Sequence, residues 1–365
     1  MKYEHEWKIT VPWGQLVLLR RGHPNGEPVL LVHGRQDSSS VFGRLLDKLP
    51  DRYNYVALDM PGNGLSDAFP CGPKLMRFHF LAAMEMAIEH LGWKNFIFIG
   101  HSMGCEQGLF FNVIHPNVIT KMVLLDAGPT LMRMQVDDSA EYQRSFYDSY
   151  YENFHKENFK RKTYTRHKAM QALKRLRNLD DSQCSELLER NFHEYDANKD
   201  WHPSEARSPS EARNSNEARN SNEAQTPNEA RISDEAQTLN EAQKPSPEIP
   251  KQLKRTHDAV GYLSWDYRLK NLAPQNYGND YYFELFKKIP PTLLIAASDG
   301  AKNVPPNPKW RQGAKELLDR MATLDNFYRV DVEGCHDVHF THPERVSPHI
   351  IKFLEKNYKK VFCKL

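Results

Sequence analysis

The 365 residues carry a formal net charge of +2 with 26% charged side chains, which argues against a nucleic-acid or acidic-membrane partner. Five cysteines (Cys71, Cys105, Cys184, Cys335 and Cys363) are odd in number and scattered, which argues against a disulfide framework or a C-x-x-C metal spacing and favours a reducing compartment. No apolar run approaches the ~18 residues of a membrane span, and residues 1–10 lack a signal-peptide core, so a soluble intracellular chain without a transmembrane segment is expected.

Residues 7–11 and 15–19 flank a Pro-Trp-Gly turn and predict an opening hairpin. Residues 29–32 are wholly apolar, as a buried parallel strand requires. A helix over 38–49 and a strand over 53–58 follow, the strand ending at Asp59. Residues 75–91 carry a helical period, with Leu81, Met84, Ile88 and Leu91 on one face. Next come a buried strand at 96–99, a helix to about His115 and a strand at 119–125 that ends at Asp126. Alternating strands and helices predict a mostly parallel sheet with right-handed crossovers.

From 129 to 288 no clear strand is expected, only stretches of helical character; the alternation then resumes. A strand at 292–297, a helix around 308–321, a strand at 327–332 and a last helix ending near Tyr358 complete the pattern. The expectation is an α/β core of residues 1–128 and 289–365 carrying an inserted helical cap, residues 129–288, over the strand ends, where α/β folds bind ligands. Within the cap a Glu-Ala pair recurs every six residues, at Glu205, Glu211, Glu217, Glu223, Glu229, Glu235 and Glu241. A six-residue step advances about 240° around a helix, so no apolar face can form, and prolines interrupt the tract further. Burying nothing, residues 203–250 are expected to be disordered, an inert expansion rather than a binding segment. The tract also explains much of the mean hydropathy of −0.71.

The chemistry centres on Gly100-His101-Ser102-Met103-Gly104, a G-x-S-x-G sequence between an apolar strand and a helix. A hydroxyl is a weak nucleophile and must stand on a tight turn where a base can reach it; small residues two before and two after permit that turn. Ser102 is the expected nucleophile. His336, in the first turn past the last strand, is the expected general base, with His339 as competitor. The acid that orients the imidazole is either Asp126 or Asp299, each at a strand end. His33-Gly34 follows the third strand; the amides of Arg35 and Met103 are the expected oxyanion donors and His33 is expected to be structural. No metal constellation or phosphate-cradling glycine loop is found, so no metal and no cofactor is expected.

Leu31-Val32-His33-Gly34, the run from Ala57 to Ser66, the serine elbow and the run from Gly334 to Glu344 resemble the α/β-hydrolase superfamily. Val11-Pro12-Trp13-Gly14, Leu125-Asp126 and Cys335-His336-Asp337-Val338-His339 resemble more closely the serine hydrolase-like proteins, the kraken group. That resemblance implies an α/β-hydrolase fold and a serine hydrolase of undefined substrate, often linked with peroxisomes. The usual superfamily acid loop is about one residue longer than the run from Pro291 to Asp299, which keeps Asp126 level with Asp299. A serine at the elbow, where dehalogenases and epoxide hydrolases carry Asp, implies acyl transfer.

The expectation is therefore a serine esterase-like enzyme acting on a small-molecule acyl substrate. The alternative is a non-catalytic ligand-binding protein, a receptor or scaffold that kept the pocket. The cap aromatics Tyr142, Phe146, Tyr150, Tyr151, Trp265 and Tyr267 suggest an apolar acyl or aryl group, although aromatic caps more often simply pack. The closing Cys363-Lys364-Leu365 is close to the Ser-Lys-Leu address, so the peroxisomal import receptor is an expected partner and the peroxisome, otherwise the cytoplasm, the expected location.

Overall fold

A computed structural model describes residues 4–70, 75–132, 136–141, 143–144, 163–194, 260–266, 268–269, 277–300 and 308–358. The repeat tract, the cap aromatics other than Trp265, and the closing Cys-Lys-Leu lie outside the described residues.

The hairpin β1 (His5–Val11) and β2 (Gly14–Gly22) opens the chain, with Val11 opposite Gly14. Gly14 has φ of 140°, and a side chain there would strike the Asp67 carboxylate, so the tight turn needs glycine. Strands β3 (Pro28–Val32), β4 (Asn54–Leu58), β5 (Phe96–His101), β6 (Ile119–Leu125), β10 (Thr292–Asp299) and β11 (Phe327–Cys335) join the hairpin in one eight-stranded sheet, ordered β1-β2-β4-β3-β5-β6-β10-β11. The first two pairings are antiparallel and the other five parallel.

The apolar runs form strands because both faces of the sheet are covered. Leu30, Val32, Val56, Leu58, Phe96 and Phe98 pack on one face, against α2 (His79–Leu91), α3 (Met103–Ile114), α6 (Asn279–Phe286) and α7 (Pro308–Met321). Val29, Leu31, Tyr55, Ala57, Ile97 and Ile99 pack on the other, against the short α1 (Gly43–Leu46), α4 (Arg166–Arg177), α5 (Asp181–Asn191), α8 (Val338–Thr341) and α9 (Pro343–Glu355). Each such buried aliphatic side chain contributes about 1.5–3 kcal/mol relative to exposure.

Two expectations need correction. The helix expected over 38–49 is a 3₁₀ turn, Ser39–Phe42, running into the one-turn α1, because Asp59 takes the Ser39 amide and hydroxyl and fixes a tighter entry. Residues 129–288 are not strand-free either. β7 (Thr163–Thr165), β8 (Phe192–Glu194) and β9 (Val260–Leu263) form a small antiparallel sheet in the order β7-β9-β8. Strands of three or four residues are too short to display a period of two, so pattern alone passes over them.

The segment between β6 and β10 leaves and re-enters between strands that are direct neighbours, Leu124 pairing with Leu294. It is therefore an insertion into a continuous sheet. Helices α4 and α5 from it pack through Ala169, Leu173, Leu187 and Leu188 on the face that carries Phe42 and Phe340. A capping box between Asp180 and Gln183 starts α5. Cys184 is fully buried in this contact, although its sequence neighbours are polar. No helix among the described residues is long and apolar enough to cross a membrane.

Candidate active site

The strand order reverses at β3, whose neighbours are β4 on one side and β5 on the other. Beyond the carboxyl ends of strands at such a reversal, loops diverge and leave a crevice. His33-Gly34 after β3, Ser102 after β5, Asp126 after β6 and His336 after β11 all lie at this edge.

Ser102 is the N-cap of α3 with φ 51° and ψ −118°, a conformation that costs a non-glycine residue about 1–3 kcal/mol. The surrounding backbone enforces it. A Cβ on Gly104 would come within 2.0 Å of the Val32 carbonyl, and one on Gly100 within 2.7 Å of Gly104, so both small residues are required for helix and strand to approach. The Ser102 amide donates to the Leu125 carbonyl at 3.1 Å, pinning the turn to β6. The half-buried hydroxyl has no hydrogen-bond partner among the described residues. Gly34 lies against it: a Cβ there would sit 3.0 Å from Ser102 Cβ.

Met103 is the first residue of α3, so its amide is one of those a helix leaves without an internal partner. Arg35 is exposed in the loop after β3. His33 is fully buried: Nδ1 donates to the Gly34 carbonyl at 2.7 Å and Nε2 accepts from the Met60 amide at 2.9 Å. Both nitrogens are thus engaged in shaping the loop, and burial lowers its pKa, keeping the ring neutral.

His336 is the first residue beyond β11, and its Nδ1 donates to Asp126 Oδ2 at 2.6 Å. The other oxygen of Asp126 accepts the Ala297 amide at 3.2 Å, and the Asp126 amide donates to Ile295 at 2.8 Å. Asp126 has φ of 49°, a left-handed turn that directs its carboxylate across the end of β10 towards β11. Gly300 leaves the room for this crossing, since a Cβ there would fall 2.1 Å from Asp126 Oδ2. Asp299, the last residue of β10, stands in register with Cys335. Burial pulls the His336 pKa down, but the hydrogen bond and charge of Asp126, reinforced by Asp337, outweigh it and hold it above the ordinary value. With Nδ1 committed to Asp126, Nε2 is the nitrogen that keeps a lone pair for a proton.

His339 is fully buried beside Phe42 and His101, and neither of its nitrogens has a partner among the described residues. It lacks the carboxylate that would fix its tautomer, and burial drives its pKa to about 3.

Sequence reasoning did not find a second buried cluster directly behind the imidazole. The His101 ring lies tilted, 4.6 Å from the His336 ring, and its Nε2 donates to the His336 carbonyl at 3.1 Å. Asp337, next in the chain, is bonded twice by Arg177 of α4, which also bonds Asp37. Burial raises the Asp337 pKa, but Arg177 more than reverses this and holds it at about 2. Asp37, His101 and Asp337 bring donor atoms within 4.8 Å of one another, as a metal site would. The guanidinium of Arg177 already bonds both carboxylates, so this set is satisfied by the chain's own cation. Only the adjacency of Asp337 to His336 hinted at the cluster; nothing marks Arg177 among 49 basic residues.

The alpha/beta hydrolase fold profile matches residues 27–343. The chain belongs to the α/β-hydrolase family. It is similar to a serine hydrolase-like protein of Danio rerio, 35% identical over 193 residues, which are 52% of this chain and 59% of that protein. It is also similar to a serine hydrolase-like protein of Homo sapiens, 34% identical over 38% of this chain and 69% of the human protein. The chain thus spans less than two thirds of the zebrafish relative's length. A hypothetical protein of Pseudomonas aeruginosa PAO1 shares the fold with a TM-score of 0.66 at 19% identity, over 96% of this chain and 97% of the other. The thioesterase domain from the curacin biosynthetic pathway does so with a TM-score of 0.63 at 17% identity, over 95% and 98%.

Proposed function

We propose that the protein is a serine hydrolase that cleaves a carboxylic ester or related acyl bond through an acyl-enzyme. The observation that carries this reading is the 2.6 Å hydrogen bond between His336 and Asp126, at the same sheet edge as the strained serine elbow. In this reading Ser102 is the nucleophile, His336 the general base and Asp126 the acid that holds the tautomer and stabilises the imidazolium.

The cycle begins when His336 Nε2 takes the Ser102 proton as the oxygen attacks the substrate carbonyl. The amides of Met103 and Arg35 receive the oxyanion, Met103 from the positive end of α3. The imidazolium then protonates the leaving group. Water, deprotonated by the same imidazole, hydrolyses the acyl-enzyme and releases the acid. No step calls on a cofactor. In this reading the segment inserted between β6 and β10, which reaches the base loop through Arg177, shapes the acyl site.

The names of relatives span thioesterase, carboxylesterase and 2-(acetamidomethylene)succinate hydrolase, so the leaving group is set by cap shape rather than by the catalytic residues. A fluorophosphonate probe followed by peptide mapping tests the core of the reading: wild-type protein is labelled on Ser102, and a p-nitrophenyl ester series then ranks acyl length. A rival ligand-binding role is supported by 28% identity, over 28% of this chain, to the karrikin insensitive 2 receptor B of Petunia hybrida and by the absence, among the described residues, of a hydrogen bond to the Ser102 hydroxyl. Tight ligand binding without labelling of Ser102 would establish that rival.

A further inference from the structure

We propose that Arg177, brought in on α4 from the inserted segment, is a positioning residue for His336, clamping the loop that carries the base and balancing the second carboxylate beside it. The inference rests on the serine hydrolase reading of the site.

Arg177 Nε donates to Asp337 Oδ2 at 2.8 Å, and its Nη2 donates to Asp337 Oδ1 at 2.5 Å and to Asp37 Oδ2 at 2.9 Å. All three side chains are deeply buried, 15% exposed for Arg177, 3% for Asp37 and 6% for Asp337. Asp337 follows the base directly in the chain, and Asp37 lies in the loop that begins with His33-Gly34-Arg35. One guanidinium therefore ties together the base loop, the oxyanion loop and the insertion. Its planar fork fixes the angle as well as the distance of the carboxylate it bonds.

Such a triad is a poor device for stability alone. Desolvating three charges offsets most of their attraction, and a well-packed apolar trio does as well or better. Its position gives the reason for keeping it. The groups facing the imidazole are Asp126 from beyond β6, Asp337 and His339 from the loop and short helix that follow it, Arg177 from α4 and His101 from the end of β5. Asp337 also lies 4.0 Å from His101 Nε2, the atom that holds the His336 carbonyl. Without Arg177, the Asp337 carboxylate would face the base with no cation of its own, favouring the imidazolium, which cannot accept the serine proton, and its loop would be free to turn; Asp37, whose pKa burial already raises, would move towards its neutral form.

The test measures the rate of fluorophosphonate labelling of Ser102 against pH in the full-length protein, for wild type and Asp337→Asn, Arg177→Lys and Arg177→Met variants. Labelling rises as His336 loses its proton, so the midpoint of the acid limb reports the base. Asp337→Asn keeps the side-chain shape and leaves a balanced Arg177–Asp37 pair, so it should fold and move the midpoint down by about half a pH unit. Arg177→Lys keeps the charge but loses the fork: the midpoint stays and the plateau rate falls about tenfold. Arg177→Met, where it folds, moves the midpoint up and lowers the plateau. A wild-type midpoint in Asp337→Asn, with a plateau within about twofold in Arg177→Lys, overturns the clamp while leaving the serine hydrolase reading intact. Absence of labelling in wild type at every pH overturns that reading and the clamp with it.

Discussion

Two regions meet behind the carboxyl edge of the sheet, and they are held by different forces. The elbow at Ser102 is set by backbone: a left-handed serine, a glycine whose missing side chain lets α3 touch Val32, and an amide bond from Ser102 to β6. The helix pair α4–α5 is attached by side chains. Beyond its apolar face, Arg177 reaches Asp37 and Asp337, Arg190 reaches Asp59 and Glu6, and Glu186 accepts from Arg44. A backbone-built corner holds an atom to a fraction of an ångström but tolerates no added volume. An ion-paired attachment tolerates volume but not the loss of one charge, because the partner is left buried and unpaired.

The largest effect expected separates chemistry from structure. If the proposed serine hydrolase reading holds, Ser102→Ala lowers turnover of p-nitrophenyl esters by about 10⁶-fold and Asp126→Asn by about 10⁴-fold, with unfolding midpoints near wild type, as steady-state assays and urea denaturation would read. Asp299→Asn stays close to wild type; an equal loss there would return the acid to Asp299. Next is the ion-paired region. Arg190→Met leaves Asp59, fully buried, without its cation and destabilises by about 3–5 kcal/mol in urea unfolding.

Gly104→Ala strikes the other region by volume alone, since its Cβ would lie 2.0 Å from the Val32 carbonyl. The expected loss is about 3 kcal/mol, with labelling of Ser102 lost in proportion. A larger loss from Gly104→Ala than from Arg190→Met would invert the comparison.

The smallest effect concerns pH. His339 stays neutral in the folded protein down to about 3, whereas its ordinary value is 6.5. Below pH 6.5 the unfolded chain binds a proton that the native state refuses, so stability falls as pH falls, until the folded pKa is reached. Linkage puts this at about 2 kcal/mol between pH 6.5 and pH 5. Asp337 acts in a lower window: its folded pKa of about 2 makes a contribution that is complete above its unfolded value and disappears as pH drops from about 4 towards 2. Urea unfolding at pH 7 and pH 5 should therefore show a slope that His339→Leu reduces and Asp337→Asn does not, the remainder coming from His33 and His101, which are also buried with lowered pKa.

Much of the core was legible. The all-apolar runs became β3 and β5 because a doubly covered strand has no polar face to alternate, and the helix at 308–321 was read at its observed bounds. The helix expected from residue 75 begins at His79, preceded by a hydrogen-bonded turn at Arg77 and Phe78 in which the His79 amide donates to the Met76 carbonyl. The three short strands of the insertion were missed, because they depend on what packs alongside rather than on any local period.

The chain by itself determined the serine elbow and the histidine after the last strand, since a five-residue turn and a strand end are local and their residue types answer local sterics. It could not choose between Asp126 and Asp299, nor point to Arg177. Those partnerships join residues 210 and 160 positions apart, and strand order alone decides which of them meet. In the folded molecule a glycine at 300 opens a path over β10, the Asp126 carboxylate takes it, and the imidazole at 336 is bonded from a strand that is not its neighbour.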